Sequence, residues 1–212
     1  MACRTPRKWC PACVRVRKET DVDDKALPKS RRVLLLVDFI NPLDFPGSEL
    51  LAAPAVEAAK AAARLARHMR AAGEAVIYAN DNFGSWTSDF NSMVTTLAKG
   101  GGPSAAIIRL LRPKRGDLTV LKPMHSAFYG SPLDILLQKM GARSLVIAGL
   151  ATDICVQLTA ADGFLRQMKM HVPEDCTAAE GEDKKQAALA YMREILKCDT
   201  APFLKAHRRK AQ

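Results

Sequence analysis

Residues 144–156, Ser-Leu-Val-Ile-Ala-Gly-Leu-Ala-Thr-Asp-Ile-Cys-Val, join a short apolar run to a helical pattern. Residues 144–148 have the continuous apolar character of a strand that is buried on both faces of a parallel sheet. Residues 157–167 contain no proline and place three apolar side chains at helical spacing, namely Leu158, Ala161 and Leu165. Cys155 therefore lies where a buried strand turns into a helix, and the positive end of that helix favours a thiolate.

Apolar runs of strand length and helical patterns alternate along the rest of the chain. The other predicted strands are residues 31–38, 75–79, 118–121 and 168–172. The other predicted helices are residues 52–72, 88–97, 133–140 and 183–196, and Ser104 is predicted to cap a turn that extends through Leu111. This alternation predicts parallel strands with right-handed crossovers and helices on both faces. We therefore predict an α/β protein with three layers (α/β/α), a mostly parallel sheet and a Rossmann-like arrangement.

The net charge of +10 is concentrated at the two ends of the chain. Residues 1–32 contain ten Lys/Arg and four Asp/Glu, and residues 205–212 contain four Lys/Arg. We interpret residues 1–30 as a basic, cysteine-containing tail that is disordered, 31–204 as one domain and 205–212 as a second basic tail. Solvated tails explain this charge without nucleic-acid contact.

Membrane association and export are not indicated by the sequence. No apolar run approaches the length of a membrane span, and the basic N-terminus lacks the apolar segment of a secretory signal. We therefore expect a cytoplasmic protein.

Cys10 and Cys13 form a Cys-x-x-Cys pair in the first tail. A tetrahedral zinc site needs four ligands, and no second pair of suitable spacing is present. A thioredoxin-like pair would need a strand before it and a helix after it, whereas Arg and Lys surround this one. We interpret the pair as reactive thiols in an unstructured segment.

Three predicted strands end with a chemically reactive side chain. Asp38 ends the first, Lys122 follows the third, and Cys155 lies in the turn after the fourth. In open parallel sheets, ligands bind beyond the carboxyl ends of the strands. Each residue alone has an ordinary explanation: a loop cap, a solvent-facing lysine or a core cysteine. Together they form a unit in which the carboxylate accepts the thiol proton and the ammonium lowers the thiol pKa.

The chain resembles the isochorismatase-like family of cysteine hydrolases, which includes nicotinamidases and N-carbamoyl amide hydrolases. The family signature G-[VIL]-[AT]-T-[DN]-x-C-V corresponds to residues 149–156, and the block K-x(3–5)-S-A-F corresponds to residues 122–128. The resemblance covers residues 31–203. It implies an Asp38–Lys122–Cys155 triad and a sheet of about six strands. Five strands are clear from the sequence, and we expect the sixth near the chain end.

The resemblance also implies a reaction. A cis peptide bond would precede Ala151, and the N–H groups of Ala151 and Cys155 would form an oxyanion hole. The substrate would be a small amide, carbamoyl or related carbonyl compound, hydrolysed through a thioester without a cofactor. Family members commonly form dimers or tetramers, which implies a homo-oligomer. The alternative is a non-hydrolytic redox or binding protein of the same fold that uses its thiols as sensors.

Departures from the family pattern concern the substrate and the metal. Nicotinamidases bind a metal through an Asp-x-His motif and further histidines, but residues 80–86 retain only Asp81 and no histidine. We therefore predict no metal site. The usual glutamine two residues after the strand aspartate is Ile40 here, and His125 is interpreted as a solvent-facing loop residue. Candidate pocket residues on the loops at the active edge are Phe39, Asn82, Trp86 and Phe128, although core positions explain the aromatic ones equally well.

Overall fold

A single six-stranded parallel sheet forms the centre of the protein. The computed structural model describes residues 27–84 and 89–203. In chain order the strands are β1 (Arg32–Val37), β2 (Ala75–Asp81), β3 (Leu118–Lys122), β4 (Ser144–Leu150), β5 (Lys169–His171) and β6 (Thr177–Ala178). Their order in the sheet is β3-β2-β1-β4-β5, and β6 pairs with the end of β4. The predicted parallel α/β sheet is confirmed.

Six α-helices within the described residues cover both faces of this sheet. They are α1 (Ser48–Ala71), α2 (Phe90–Lys99), α3 (Gly102–Leu110), α4 (Leu133–Met140), α5 (Gln157–Leu165) and α6 (Glu182–Glu194). Buried side chains of α1, α2 and α3 pack with Leu34 and Leu36 of β1 on one face. Those of α4, α5 and α6 pack with Val33, Leu35 and Val37 on the other. Because the strand side chains alternate between two apolar layers, the whole of β1 is hydrophobic.

The sixth strand, β6, has only two residues, too few to form a periodic pattern in the sequence. Thr177 and Ala178 pair with Gly149 and Leu150 at the end of β4, while β5 pairs with the beginning of that strand. Nearer the chain end, Asp199 forms an isolated parallel bridge with His171. Two-residue pairings of this kind depend on the neighbouring strand and carry no pattern of their own.

Helix α1 begins four residues before the predicted residue 52, so Pro54 lies inside the helix and not in its first turn. A proline at this position removes the N–H that would donate to the Leu50 carbonyl. Pro54 is exposed and Leu50 is 59% exposed. Water can therefore solvate that carbonyl, and the long alanine-rich face of the helix remains packed on the sheet.

The connection order reverses direction between β1 and β4, the two central strands. From β1 the chain proceeds to β2 and β3 on one side, and from β4 to β5 on the other. Gly149, near the end of β4, lies against the Val37 carbonyl oxygen so closely that any side chain there would collide with it. In open sheets, such a reversal leaves a crevice at the carboxyl ends of the two strands, here β1 and β4, and ligands bind there.

None of the helices in residues 27–84 and 89–203 is long and apolar enough to cross a membrane.

Candidate active site

Asp38 immediately follows β1 at the crevice. Its φ of 51° is in the left-handed region, which aspartate tolerates better than most residues, and this turns the chain out of the strand. The backbone N–H of Asp38 donates to Ala79 O at 3.0 Å. One carboxylate oxygen, Oδ1, accepts the N–H of Asp81 at 2.7 Å. The residue is only 5% exposed, so its carboxylate is held in a fixed position inside the protein.

Lys122, the last residue of β3, is completely buried. Its Nζ lies 2.8 Å from Asp38 Oδ2 and 3.1 Å from the Met124 carbonyl oxygen, to which it donates. The same nitrogen is 3.6 Å from Asp81 Oδ2 and 3.8 Å from Cys155 Sγ. A buried ammonium needs negative charges or hydrogen-bond acceptors nearby, and these four groups supply them to Lys122.

Cys155 lies in a π-helical turn, Thr152–Val156, that joins β4 to α5. The Val156 N–H donates to the Ala151 carbonyl five residues earlier at 3.1 Å. The peptide bond between Leu150 and Ala151 is cis. Cys155 is 9% exposed, and its sulfur is 3.7 Å from Nδ1 of His125 as well as 3.8 Å from the Lys122 ammonium. The thiol thus faces both the buried ion pair and the entrance of the crevice.

The protonation equilibria of these groups are strongly coupled. Burial raises the pKa of Asp38, and the Lys122 ammonium opposes that rise only in part. Burial alone would lower the pKa of Lys122, but the Asp38 carboxylate, Cys155 and Asp81 together raise it. Lys122 is therefore charged, and the carboxylate beside it is a better proton acceptor than an ordinary aspartate.

The prediction of a favoured Cys155 thiolate is wrong for the resting protein. Burial and the negative charge of Asp38 raise the pKa of Cys155 above its ordinary value, although Lys122 acts in the opposite direction. The sequence reveals the ammonium but not the depth at which the sulfur is buried. Since the sulfur rests as a thiol, it needs a base close by, and the Asp38 carboxylate contacts the same Lys122 ammonium that contacts the sulfur.

The Ser-Ala-Phe block fixes the loop after Lys122 to helix α5. Ser126 Oγ donates to Asp162 Oδ2 at 2.5 Å, and the Ala127 N–H donates to Thr159 Oγ1 at 3.0 Å. The Arg166 guanidinium lies 4.5 Å from the centre of the Phe128 ring. Since α5 continues from the turn that carries Cys155, these contacts hold the lysine loop and the cysteine turn together.

The candidate pocket residues are mostly interior. Phe39 is fully buried in one core layer, and Phe128 is buried in the other. Asn82 is also buried, and its Oδ1 accepts the Gly84 N–H at 2.9 Å. In this structure the two aromatic side chains pack the core, which is the alternative that the sequence left open. Trp86 lies outside the described residues, as do Cys10 and Cys13.

Two side chains near the thiol were not recognised as site residues from the sequence. Asp81 is the last residue of β2, just as Asp38 follows β1. The rule that ligands bind beyond the carboxyl ends of parallel strands therefore points to Asp81 as well, although its sequence context suggests only part of a metal-binding motif. His125 is exposed as expected, yet its ring also contacts Cys155 Sγ. Within the described parts of the chain, no group of three or more His, Cys, Asp or Glu side chains could hold a metal ion.

Comparison with known proteins identifies relatives over the same part of the chain. The sequence model of the isochorismatase domain matches residues 32–200. A Bacillus subtilis protein named as an uncharacterized isochorismatase family protein, YaaI, is 32% identical over 170 residues, which cover 80% of this chain and 93% of that protein. The ureidoacrylate amidohydrolase RutB of Azorhizobium caulinodans is 33% identical over 187 residues, which cover 74% of this chain and 81% of the relative.

Solved structures give the same result for the fold. N-carbamoylsarcosine amidase from Thermoplasma acidophilum has a TM-score of 0.63 and 27% identity, covering 81% of this chain and 96% of its own. The nicotinamidase of Staphylococcus aureus has a TM-score of 0.64 and 20% identity, covering 82% of this chain and 99% of its own. At that lower identity the resemblance concerns the fold alone.

Proposed function

The chain belongs to the isochorismatase family of hydrolases, and we propose that it cleaves the C–N bond of a small amide, carbamoyl or related carbonyl compound with Asp38, Lys122 and Cys155. The observation that carries this proposal is the convergence of the three groups from three strands: Lys122 Nζ is 2.8 Å from Asp38 Oδ2 and 3.8 Å from Cys155 Sγ. The names of two relatives, a ureidoacrylate amidohydrolase and an N-carbamoylsarcosine amidase, support the type of bond cleaved, a C–N bond of a carbamoyl group.

The first half of the reaction forms a thioester. Asp38 takes the proton of the Cys155 thiol while the sulfur attacks the substrate carbonyl carbon. The N–H groups of Ala151 and Cys155 donate to the oxyanion that develops on the carbonyl oxygen. As the C–N bond breaks, protonated Asp38 gives its proton to the leaving nitrogen, which departs as ammonia or an amine.

The second half returns the enzyme to its starting state. Asp38, again a carboxylate, takes a proton from water, and the resulting hydroxide attacks the thioester carbonyl. The C–S bond breaks, the acid leaves, and the sulfur recovers its proton from Asp38. Lys122 transfers no proton in this scheme. Its ammonium holds the carboxylate at the sulfur and stabilises negative charge on either group.

Two variants test the proposal on a panel of primary amides and N-carbamoyl compounds. Cys155→Ala and Asp38→Asn should each lower ammonia release by about 10⁴-fold or more, as loss of a nucleophile or its base does in other hydrolases. Cys198→Ala, which changes another buried cysteine away from Asp38, should retain turnover. Mass spectrometry of the quenched wild type should find an acyl adduct on Cys155. Turnover by Cys155→Ala at the wild-type rate would contradict the proposal.

We also propose a homo-oligomer, a dimer or tetramer, in the cytoplasm. Four exposed apolar side chains border one groove of about 300 Å³ beside the site: Met124, Tyr129, Leu158 and Leu165. Clustered apolar surface of this kind is typical of protein interfaces. Light scattering coupled to size-exclusion chromatography should give twice or four times the chain mass, and a monomer at micromolar concentration would contradict it.

A further inference from the structure

Lys122 has a second carboxylate partner that the proposed triad does not use. Asp81 is the residue of β2 that pairs in register with Lys122 of β3, so the sheet itself places the two side by side. Asp81 Oδ2 is 3.6 Å from Lys122 Nζ, and its other oxygen accepts the Phe83 N–H at 2.6 Å. The side chain of Asp81 is 28% exposed. Its charge is thus fixed at the crevice, on the side open to solvent.

The ammonium of Lys122 has no hydrogen left for a substrate. A lysine has three N–H donors. Those of Lys122 face the Asp38 carboxylate at 2.8 Å, the Met124 carbonyl at 3.1 Å, and Asp81 and Cys155 at 3.6 and 3.8 Å. A carboxylate on a bound substrate could therefore pair with this cation only by displacing a partner that Lys122 needs in its buried position.

The charges around the thiol do not cancel. Asp38 and Asp81 carry two negative charges against the single positive charge of Lys122, and Cys155 rests as a neutral thiol. The negative charge of Asp81 also contributes to the raised pKa of Cys155, so its field reaches the sulfur. A substrate group near the sulfur would experience the same field.

We propose that Asp81 is a specificity-determining residue that makes the site select uncharged amide or carbamoyl substrates over anionic ones. This inference rests on the proposed function. A unit charge that lies within about 7 Å of a charged substrate group and is partly screened by water changes the ratio of kcat/KM between uncharged and charged substrates by roughly fivefold to tenfold. The substrates that the site disfavours are amides and ureido acids that carry a carboxylate close to the scissile carbonyl.

His125 is the remaining titratable group that faces the sulfur, at 3.7 Å. The comparison of the wild type with Asp81→Asn keeps His125 unchanged, so a difference in charge selectivity between the two proteins comes from Asp81.

The first test compares two substrates with the same ureido group, the anionic 3-ureidopropionate and its uncharged N-methylamide, by ammonia release at pH 8. We expect kcat/KM of the wild type to favour the uncharged compound by about tenfold, and Asp81→Asn to lower that ratio by about fivefold or more. Asparagine keeps an oxygen that accepts the Phe83 N–H, so the turn is conserved. The control Asp44→Asn, an exposed carboxylate on the loop after β1, should leave the ratio within about twofold. Preference of the wild type for the anion, or an unchanged ratio in Asp81→Asn, would overturn the proposal.

The second test needs no turnover. Iodoacetamide and iodoacetate alkylate the same thiol and differ in charge, and peptide mass spectrometry reports Cys155 alone. The ratio of the iodoacetamide rate to the iodoacetate rate is measured for Cys155 and for glutathione as the reference thiol. In the wild type this ratio should be about fivefold or more higher for Cys155 than for glutathione, and Asp81→Asn should remove most of the difference. Equal relative rates in the wild type overturn the charge-selectivity proposal even if Asp81→Asn does not fold. Absence of hydrolysis with a clear alkylation bias would instead count against the proposed function and leave the charge field established.

Discussion

Replacement of Lys122 by methionine removes the buried ammonium and keeps an unbranched side chain of similar length. The pair it breaks is almost completely buried, since Lys122 is fully buried, the side chain of Asp38 is 7% exposed, and Nζ and Oδ2 are 2.8 Å apart. Removal of one partner of such a pair costs about 3–5 kcal/mol of folding free energy, because the other charge remains in the interior without compensation. We expect a loss of that size at pH 8.

The loss should depend on pH in a defined direction. Burial already raises the pKa of Asp38 above its ordinary value in the presence of Lys122, and removal of the ammonium raises it further. A carboxyl whose pKa is higher in the folded than in the unfolded protein binds more protons when folded, so stability falls as pH rises through the folded pKa. The penalty of Lys122→Met should therefore be larger at pH 8 than at pH 5.

Urea denaturation at the two pH values measures both quantities. The double variant Asp38→Asn/Lys122→Met, which lacks both charges of this pair, should recover much of the stability at pH 8 without recovering hydrolysis. Lys99→Met at the exposed end of α2 is the matched control and should change the free energy of unfolding by less than about 0.5 kcal/mol. A loss below about 1 kcal/mol at pH 8, or an equal loss at pH 5, would refute the reasoning.

Three further predictions concern the surroundings of the pair. Gly149→Ala should destabilise the protein by about 1–3 kcal/mol in urea denaturation, because the added Cβ would collide with the Val37 carbonyl oxygen. The control Gly101→Ala, where the space is open, should leave the free energy of unfolding unchanged. Equal effects of the two substitutions would contradict the packing explanation. Asp38→Asn removes a charge that raises the pKa of Cys155, so alkylation of Cys155 by iodoacetamide at pH 7.5 should become faster while hydrolysis is lost; slower alkylation would be contrary evidence. Arg70→Met removes the two hydrogen bonds, of 2.9 and 2.7 Å, that Arg70 donates to the buried Asp117 carboxylate, and should lower the free energy of unfolding by about 1–3 kcal/mol. Arg67→Met on the exposed face should not have this effect, and similar values for both variants would contradict the prediction.

The positions of Asp38, Lys122 and Cys155 follow from the sequence because one topological rule governs all three. Each residue ends or follows an apolar run, and parallel strands bring their carboxyl ends to one edge. The sequence could not show that β2 and β3 pair in the register that sets Asp81 beside Lys122, since register depends on the partner strand. Nor could it separate Phe39 as a core residue from Phe39 as a pocket residue, because both environments are apolar.

The protonation state of the nucleophile shows most clearly where local reasoning stops. A cysteine near a helix N-terminus and an ammonium has, from sequence, every reason to be a thiolate. In the folded protein the same sulfur is buried and faces the field of two carboxylates, and these effects raise its pKa despite Lys122. Ammonium and carboxylate favour opposite states of the sulfur, so the sign depends on distances and burial that only the tertiary structure specifies. In the proposed reaction, a neutral thiol beside a buried carboxylate of raised pKa would lose its proton as that carboxylate receives it, so we expect proton transfer to Asp38 and attack by Cys155 to be parts of one event.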